Sequence, residues 1–242
     1  MDDLKDKIAL VTGAGKGIGL EIARTLASMG IAVIIAARNK DTLEKAAKQI
    51  IENGGKSAAI TVDMGDEESI RSLVAEIHRR FGRLDILVNN AGITHSDLLM
   101  DTSTEDFDRC MRVNARGPFI LCRQALPLLQ KAKRGYIINI GSVVSIKGYP
   151  KQSAYTASKH ALRGMTISLA EELNKTSVSI HMICPGGVDT DMVGGVRPDI
   201  NKDELIQPHE IADIVRFIVT RRGKGLIDEF RIRRATSSPW FA

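Results

Sequence analysis

Residues 7–30 read KIALVTGAGKGIGLEIARTLASMG. Lys7-Ile8-Ala9-Leu10-Val11 is a short apolar run rich in β-formers, the pattern of a buried strand. It leads straight into Thr12-Gly13-Ala14-Gly15-Lys16-Gly17-Ile18-Gly19. A helical pattern follows, with Ile22, Ala23, Leu26 and Ala27 on one face and a stop at Gly30. Strand, glycine loop and helix, in that order, are the context a dinucleotide site needs. The glycines permit the tight turn and let backbone N–H groups approach a pyrophosphate at the helix N-terminus. A glycine triad alone carries little information; here its surroundings give it weight.

The alternation continues outward. Ile31 to Ala37 reads as a second buried strand, and a helix spans about Lys40 to Asn53, stopped by Gly54-Gly55. Ser57 to Val62 is a third strand that ends at Asp63. Glu67 to Phe81 carries Ile70, Leu73, Val74 and Ile77 on one face and stops at Gly82. Asp85 to Asn89 is a fourth strand. Thr104 opens a long helical stretch to about Lys131, which Pro118 is expected to kink. Tyr136 to Gly141 is a fifth strand, Val178 to Cys184 a sixth, and Ile227 to Arg233 the last, with a helix over Pro208 to Thr220. Thr190 to Gln207 has no clear periodicity and reads as a loop over the site. Strands alternating with helices predict βαβ units with right-handed crossovers. The expected fold is α/β: a single-domain, doubly wound Rossmann fold with a seven-stranded parallel sheet and helices on both faces. One domain is expected over 1–242, with a cofactor-binding half at about 7–110 and a catalytic and substrate half at about 111–242.

Composition narrows the function. The chain has 242 residues, a net charge of +5 and 4% aromatic residues. The positive charge is scattered and the aromatics are too few for base stacking, so no nucleic-acid partner is expected and an anionic cofactor or carrier suits the charge better. No apolar run approaches a membrane span, and the acidic start Met1-Asp2-Asp3 is no secretory signal. Cys110, Cys122 and Cys184 are an odd number at irregular spacings, and Cys122 and Cys184, in apolar runs, read as reduced core thiols of a cytoplasmic protein. No Cys/His cluster has zinc spacing, so no metal is expected.

Chemistry concentrates in Gly141 to Lys159. Ser142 ends the fifth strand, where a hydroxyl can hold a carbonyl oxygen. Tyr155 and Lys159 are four residues apart on one face of a predicted helix. A free phenol has a pKa of roughly 10, and a neighbouring ammonium is expected to lower it toward a usable acid/base. Ser145 and Ser153 compete with Ser142 for the catalytic hydroxyl; the position just after the strand favours Ser142. A Tyr-x-x-x-Lys pair alone is more often surface decoration than chemistry.

Taken together, Thr12-Gly13-x-x-x-Gly17-x-Gly19, Asp63, Asn89-Asn90-Ala91-Gly92, Asn114, Ser142, Tyr155-x-x-x-Lys159 and Pro185-Gly186-x-x-x-Thr190 resemble the short-chain dehydrogenase/reductase family over essentially the whole chain. The resemblance implies that Tyr155 is the acid/base. It implies that Lys159 lowers the tyrosine pKa and holds the nicotinamide ribose, that Ser142 orients the substrate oxygen, and that Asn114 holds a water for proton relay. It implies a cofactor groove lined by Gly13, Gly15, Lys16, Gly17, Ile18 and Gly19, with Asn90, Ala91 and Gly92 along it. Asp63 and Met64 would flank the adenine, and Pro185, Gly186, Val188 and Thr190 would meet the nicotinamide. A homotetramer or dimer is implied as well, with the Asn114 and Tyr155 helices and the last strand at interfaces.

Within the family the chain looks most like 3-oxoacyl-carrier-protein reductases, which implies a small-molecule or carrier-bound carbonyl substrate. Two features depart from that pattern: a short stretch between Thr190 and Pro208, and an ending that reads Ile227-Asp228-Glu229-Phe230-Arg231-Ile232-Arg233-Arg234. A carbonyl, diketone or sugar dehydrogenase of the same family is the alternative; a catalytically silent dinucleotide-sensing module is the rival from another class. The residues themselves predict NADP(H) as the cofactor. Ala36-Ala37-Arg38 ends the second strand with no carboxylate until Asp41, so Arg38, helped by Lys16, can take a 2′-phosphate. Trp240 and Phe241, after Pro239, are expected to dock on a neighbouring subunit.

Overall fold

The computed structural model describes residues 4–196 and 200–239; Trp240 and Phe241 lie outside the described residues. Seven parallel strands form one sheet: β1 (Ile8–Thr12), β2 (Ala32–Ala37), β3 (Lys56–Thr61), β4 (Ile86–Asn89), β5 (Gly135–Ile140), β6 (Val178–Pro185) and β7 (Glu229–Ile232). Their spatial order is β3-β2-β1-β4-β5-β6-β7. The order reverses between β1 and β4, which opens a crevice at the carboxyl ends of those strands, where a doubly wound fold binds its ligand.

Strand alternation sorts the core into two layers. Ala9 and Val11 of β1 and Val33 and Ile35 of β2 face one side. There they meet α1 (Gly17–Ser28), α2 (Lys40–Glu52) and α8 (Pro208–Thr220) through Ile22, Leu26, Leu43, Ile211 and Val215. Ile8, Leu10 and Ile34 face the other side and meet α3 (Glu67–Phe81) and α5 (Gly117–Leu129) through Ile70, Leu73, Leu121 and Leu128. No helix among the described residues is long and apolar enough to cross a membrane.

Helix boundaries follow local chemistry. The α3 helix starts at the Asp66 side chain, which accepts from the Glu68 N–H, and ends at Gly82 in a left-handed conformation. The long helix predicted over 104–131 is divided, and Pro118 does not kink it in the expected way. The α4 segment (Thr104–Met111) gives way to a π turn at Arg112–Arg116, and Pro118 sits in the first turn of α5. Pro118 has no N–H for the Asn114 carbonyl and its ring crowds that oxygen. A wider turn, closed by the Gly117 N–H on the Arg112 carbonyl, relieves the conflict.

Two further expectations need correction. The stretch 190–207 is not all loop: α7 (Asp191–Val196) and a 3-10 turn (Lys202–Glu204) lie within it. Short segments rich in glycine carry no periodic signal over so few residues. The last strand is also shorter than the predicted 227–233.

A polar ladder crosses the core behind the crevice. Asn89 Nδ2 donates to Asn139 Oδ1 at 2.8 Å, Asn139 Nδ2 to Thr166 Oγ1 at 2.8 Å, and the Thr166 hydroxyl to the Leu162 carbonyl at 2.7 Å. It ties β4 and β5 to α6 (Ser153–Leu173). Asn139→Leu keeps the volume and strands two buried partners, at a cost of about 1–3 kcal/mol. The expected fall in melting temperature is roughly 2–10 °C for a chain of this size. Thermal unfolding of the variant tests it; an unchanged midpoint would remove the ladder from the account of stability.

Candidate active site

The crevice is a cleft of about 1350 Å³ running over the carboxyl ends of the strands. At one end lies the glycine loop. Gly13 has φ +66°, a conformation that costs a side-chain-bearing residue, and a Cβ there would meet the Ala91 backbone at 2.8 Å. Gly15, Lys16, Gly17 and Ile18 line the cleft with it; Gly19 does not. Gly19 packs instead beneath the loop, where a Cβ would lie 2.5 Å from the Gly13 carbonyl. The Asn90 side chain fastens the loop by donating to the Thr12 carbonyl at 2.9 Å, and the Thr12 hydroxyl accepts from the Asn90 and Ala91 N–H groups.

Arg38, Asp63, Met64, Asn90, Ala91 and Gly92 follow along the floor. Arg38 is exposed and, among the described residues, pairs with no carboxylate. Lys16 differs from expectation. It lines the cleft, but its Nζ is 2.6 Å from Asp191 Oδ2, so it clasps the glycine loop to α7. That contact holds the Asp191 carboxyl below its usual range. Pro185, Gly186, Val188 and Thr190 form the opposite wall.

At the far end Ser142, Tyr155 and Lys159 come together. Ser142 follows β5, and its N–H donates to Ser145 Oγ at 3.1 Å. Ser145 is fully buried in that cap and Ser153 is away from the cleft, so of the three serines only Ser142 presents its hydroxyl. The Ser142 side chain lies close enough to the Tyr155 phenol to favour its phenolate. Lys159 Nζ donates to the Ile140 carbonyl at 2.9 Å and lies 6.0 Å from the centre of the Tyr155 ring.

The electrostatics correct one expectation. Burial pushes the Tyr155 phenol up to about 12, against the nearby Ser142 side chain that favours the phenolate. The Lys159 amine, turned to a backbone carbonyl and with its own charge disfavoured, does not offset that burial. Burial pushes Lys159 down to about 8 from 10.5. The folded pKa is below the unfolded one, so the unfolded chain binds the proton more tightly and wild-type stability rises between pH 8 and 10.5. Lys159→Met removes the penalty but also the bond to Ile140. The variant is therefore expected to be about 1–2 kcal/mol more stable at neutral pH, with the gap closing by pH 10.5. Urea unfolding across that range checks it; parallel pH curves for the two proteins would contradict a charged, desolvated amine.

Asn114 is close by but does not line the cleft. Its side chain, 1% exposed, accepts from the Ile93 N–H at 2.9 Å and donates to the Ile93 carbonyl at 2.8 Å and Ser158 Oγ at 3.0 Å. That side chain pins the post-β4 loop to α6. Ser158, which also donates to the Tyr155 carbonyl at 2.7 Å, is a positioning residue that sequence reasoning missed. Only its place between Tyr155 and Lys159 pointed to it. Missed too were Lys147, Tyr149, Gln152, Arg233 and Arg234, which line the cleft from segments without a motif.

These residues fit a nicotinamide dinucleotide. The loop offers backbone close to the cleft, and the floor narrows at Gly92, where a Cβ would sit 3.2 Å from Asn114 Oδ1 and 3.5 Å from Lys159 Nζ. A side chain there would fill the space between the floor and the lysine.

Known proteins place the chain. Residues 7–201 match the short chain dehydrogenase family model. The uncharacterized oxidoreductase YxjF of Bacillus subtilis is 35% identical over 92% of this chain and 95% of that protein. A 3-oxoacyl-[acyl-carrier-protein] reductase of Bos taurus is 36% identical over 83% of each. Among solved structures, an alcohol dehydrogenase from Thermococcus sibiricus, complexed with 5-hydroxy-NADP, superposes with a TM-score of 0.89 and 30% identity over 97% of this chain and 99% of that one. The order of glycine loop, Asn-Asn-Ala-Gly turn, serine and Tyr-x-x-x-Lys pair and the match over most of the length agree: the chain is an oxidoreductase and belongs to the short-chain dehydrogenase family.

Proposed function

We propose that this protein is an NADP(H)-dependent oxidoreductase that interconverts a ketone or aldehyde and an alcohol. The observation that carries the reading is the convergence of Ser142, Tyr155 and a buried Lys159 in one cleft with the glycine loop. When bound in the cleft, a reduced nicotinamide would supply the hydride for the carbonyl carbon. Ser142 donates to the substrate oxygen and fixes its position. The Tyr155 hydroxyl gives its proton to that oxygen as negative charge develops there, which leaves the phenolate. Lys159, in its ammonium form below about pH 8 and 6.0 Å from the Tyr155 ring centre, lowers the cost of that phenolate. Reversal of these steps oxidises the alcohol.

The phosphate-bearing end of the cofactor would lie over Gly13 to Ile18, with Arg38 at the adenine ribose. NADP(H) is favoured by that unpaired cation and by the nucleotide held in the Thermococcus sibiricus structure. The residues before about 110 then serve the cofactor, and those after it serve catalysis and substrate. Resemblance to the Bos taurus reductase places a 3-oxoacyl thioester among the candidate carbonyl substrates. The proposed setting is a cytoplasmic homotetramer or dimer.

Oxidation of NADPH, followed by its absorbance with a 3-oxoacyl thioester, simple ketones, diketones and oxo acids as separate substrates, tests the reading. Turnover of at least one carbonyl is expected. Cofactor binding without oxidation by any of them would favour a dinucleotide sensor.

A further inference from the structure

The cleft's substrate end carries a cation that the hydride-transfer chemistry does not use. Pro185 of β6 pairs with Ile232 of β7, so the chain leaves β7 beside Gly186 and enters Arg233-Arg234 along the cleft wall. Arg233, Arg234, Thr236, Ser237 and Ser238 all line the cleft. The two arginines differ in what holds them. Arg234 Nη1 is 3.1 Å from Glu204 Oε2, which also accepts from the Thr236 hydroxyl at 2.8 Å, so its charge is compensated. Arg233 faces no carboxylate among the described residues.

The hydrogen bonds of Arg233 all run through one nitrogen. Its Nη1 donates to the carbonyls of Arg234, Ala235 and Ser237 at 3.1, 3.0 and 2.7 Å. The turn after β7 therefore grips the guanidinium by one corner. The Nε–H and Nη2 edge is left without a partner among the described residues. That edge is the side-on fork whose two parallel N–H bonds match a carboxylate. A guanidinium already held by backbone carbonyls loses little freedom when it takes a ligand.

The sheet sets the distance. The order β5-β6-β7 and the pairs Ile140–Ile183 and Pro185–Ile232 put Ser142 and Arg233 in one row at the carboxyl edge. Two strand spacings separate their backbones, about 10 Å. Because the guanidinium is held over its own turn by the Arg234, Ala235 and Ser237 carbonyls, a group bound there would be several bonds from a carbonyl on Ser142. Resting on the carbonyl–alcohol reading above, we propose that the substrate is an oxo acid, or the corresponding hydroxy acid, whose remote carboxylate is bound by the free edge of Arg233.

The experiment compares each of two linear oxo acids, 4-oxopentanoate and 5-oxohexanoate, with its own methyl ester, using the full chain and NADPH. Wild type is expected to favour at least one acid over its ester by roughly tenfold or more in kcat/KM, since a charge-assisted fork contributes on that scale. In Arg233→Gln the acid-to-ester ratio should fall at least tenfold, with most of the change in KM, and Arg233→Lys should recover part of it. If the Gln variant does not fold, because the turn carbonyls need a cation, the Lys variant and the salt dependence of the wild-type ratio decide. A ratio near one in wild type, or one insensitive to both substitution and salt, would reduce Arg233 to a turn cap and overturn the proposal. A preference for the esters would also overturn it and assign the field at this end to Asp189, which lines the same cleft. No oxidation of NADPH by any carbonyl would instead strike the underlying reading.

Discussion

Tyr155→Phe is expected to lower turnover roughly 10²–10⁴-fold with NADPH affinity nearly unchanged. The ring keeps its place on α6, held by packing and by the Ser158 bond to its backbone carbonyl. What goes is the hydroxyl close to Ser142 and the proton it would deliver. Burial makes this loss specific to the acid role. A phenol pushed up to about 12 is protonated throughout the neutral range, so its proton is in place for reduction, and donating it calls on Lys159 to stabilise the phenolate that is left. The reverse reaction is harder, because it needs the phenolate, and the variant should lose alcohol oxidation at least as severely. Steady-state rates in both directions, with NADPH binding followed by fluorescence, check it. Near wild-type reduction by the Phe variant would mean that the proton comes from elsewhere and would remove Tyr155 from the mechanism.

The parts of this architecture that were legible in the sequence are those set by periodicity and by local stops. The α3 and α8 spans agree with the bounds read from apolar spacing, with Gly82 ending one and Pro208 starting the other. Strands buried on both faces, such as β2, announce themselves as apolar runs. The site was legible where each residue sits on such an element: Ser142 at a strand end, Tyr155 and Lys159 one turn apart. It failed where position depends on contacts between distant segments. Lys16 meets Asp191 across 175 residues of chain, and nothing in either neighbourhood announces the pair. Asn114 was expected to hold a relay water, and the sequence did not show that its amide is bound to Ile93 and Ser158 in a π turn that no propensity marks. The Tyr155 pKa went against expectation because desolvation, a property of the packed state, outweighs a lysine whose sequence spacing does not reveal that it points to Ile140.

Arg38→Asp is expected to reverse the cofactor preference. Wild type should favour NADP(H) over NAD(H) by at least ten- to a hundredfold in kcat/KM, as one charge-assisted phosphate contact contributes roughly 1.5–3 kcal/mol and each ~1.4 kcal/mol is tenfold. Arg38 sits where a dinucleotide fold meets the adenine ribose, just after β2, on the cleft and exposed. No carboxylate among the described residues holds it, so no ion pair has to break before its fork takes a 2′-phosphate. Arg38→Ala should cost NADPH most of that factor and leave NADH nearly unchanged. Aspartate does more, because it repels the phosphate and accepts from a 2′-hydroxyl. Lys16→Ala separates the two cations. With its amine engaged by Asp191 in a solvent-exposed pair, Lys16 is expected to alter selectivity less than Arg38 does, and its loss should instead loosen both cofactors by freeing α7 from the glycine loop. Measured kcat/KM for both cofactors in wild type and the three variants resolves these contributions. An NAD(H)-preferring wild type would overturn the assignment, and so would an Arg38→Ala variant of unchanged selectivity. A Lys16→Ala variant that lost NADPH selectively would move the phosphate across the cleft, to the loop side, and require the clasp with Asp191 to open on binding.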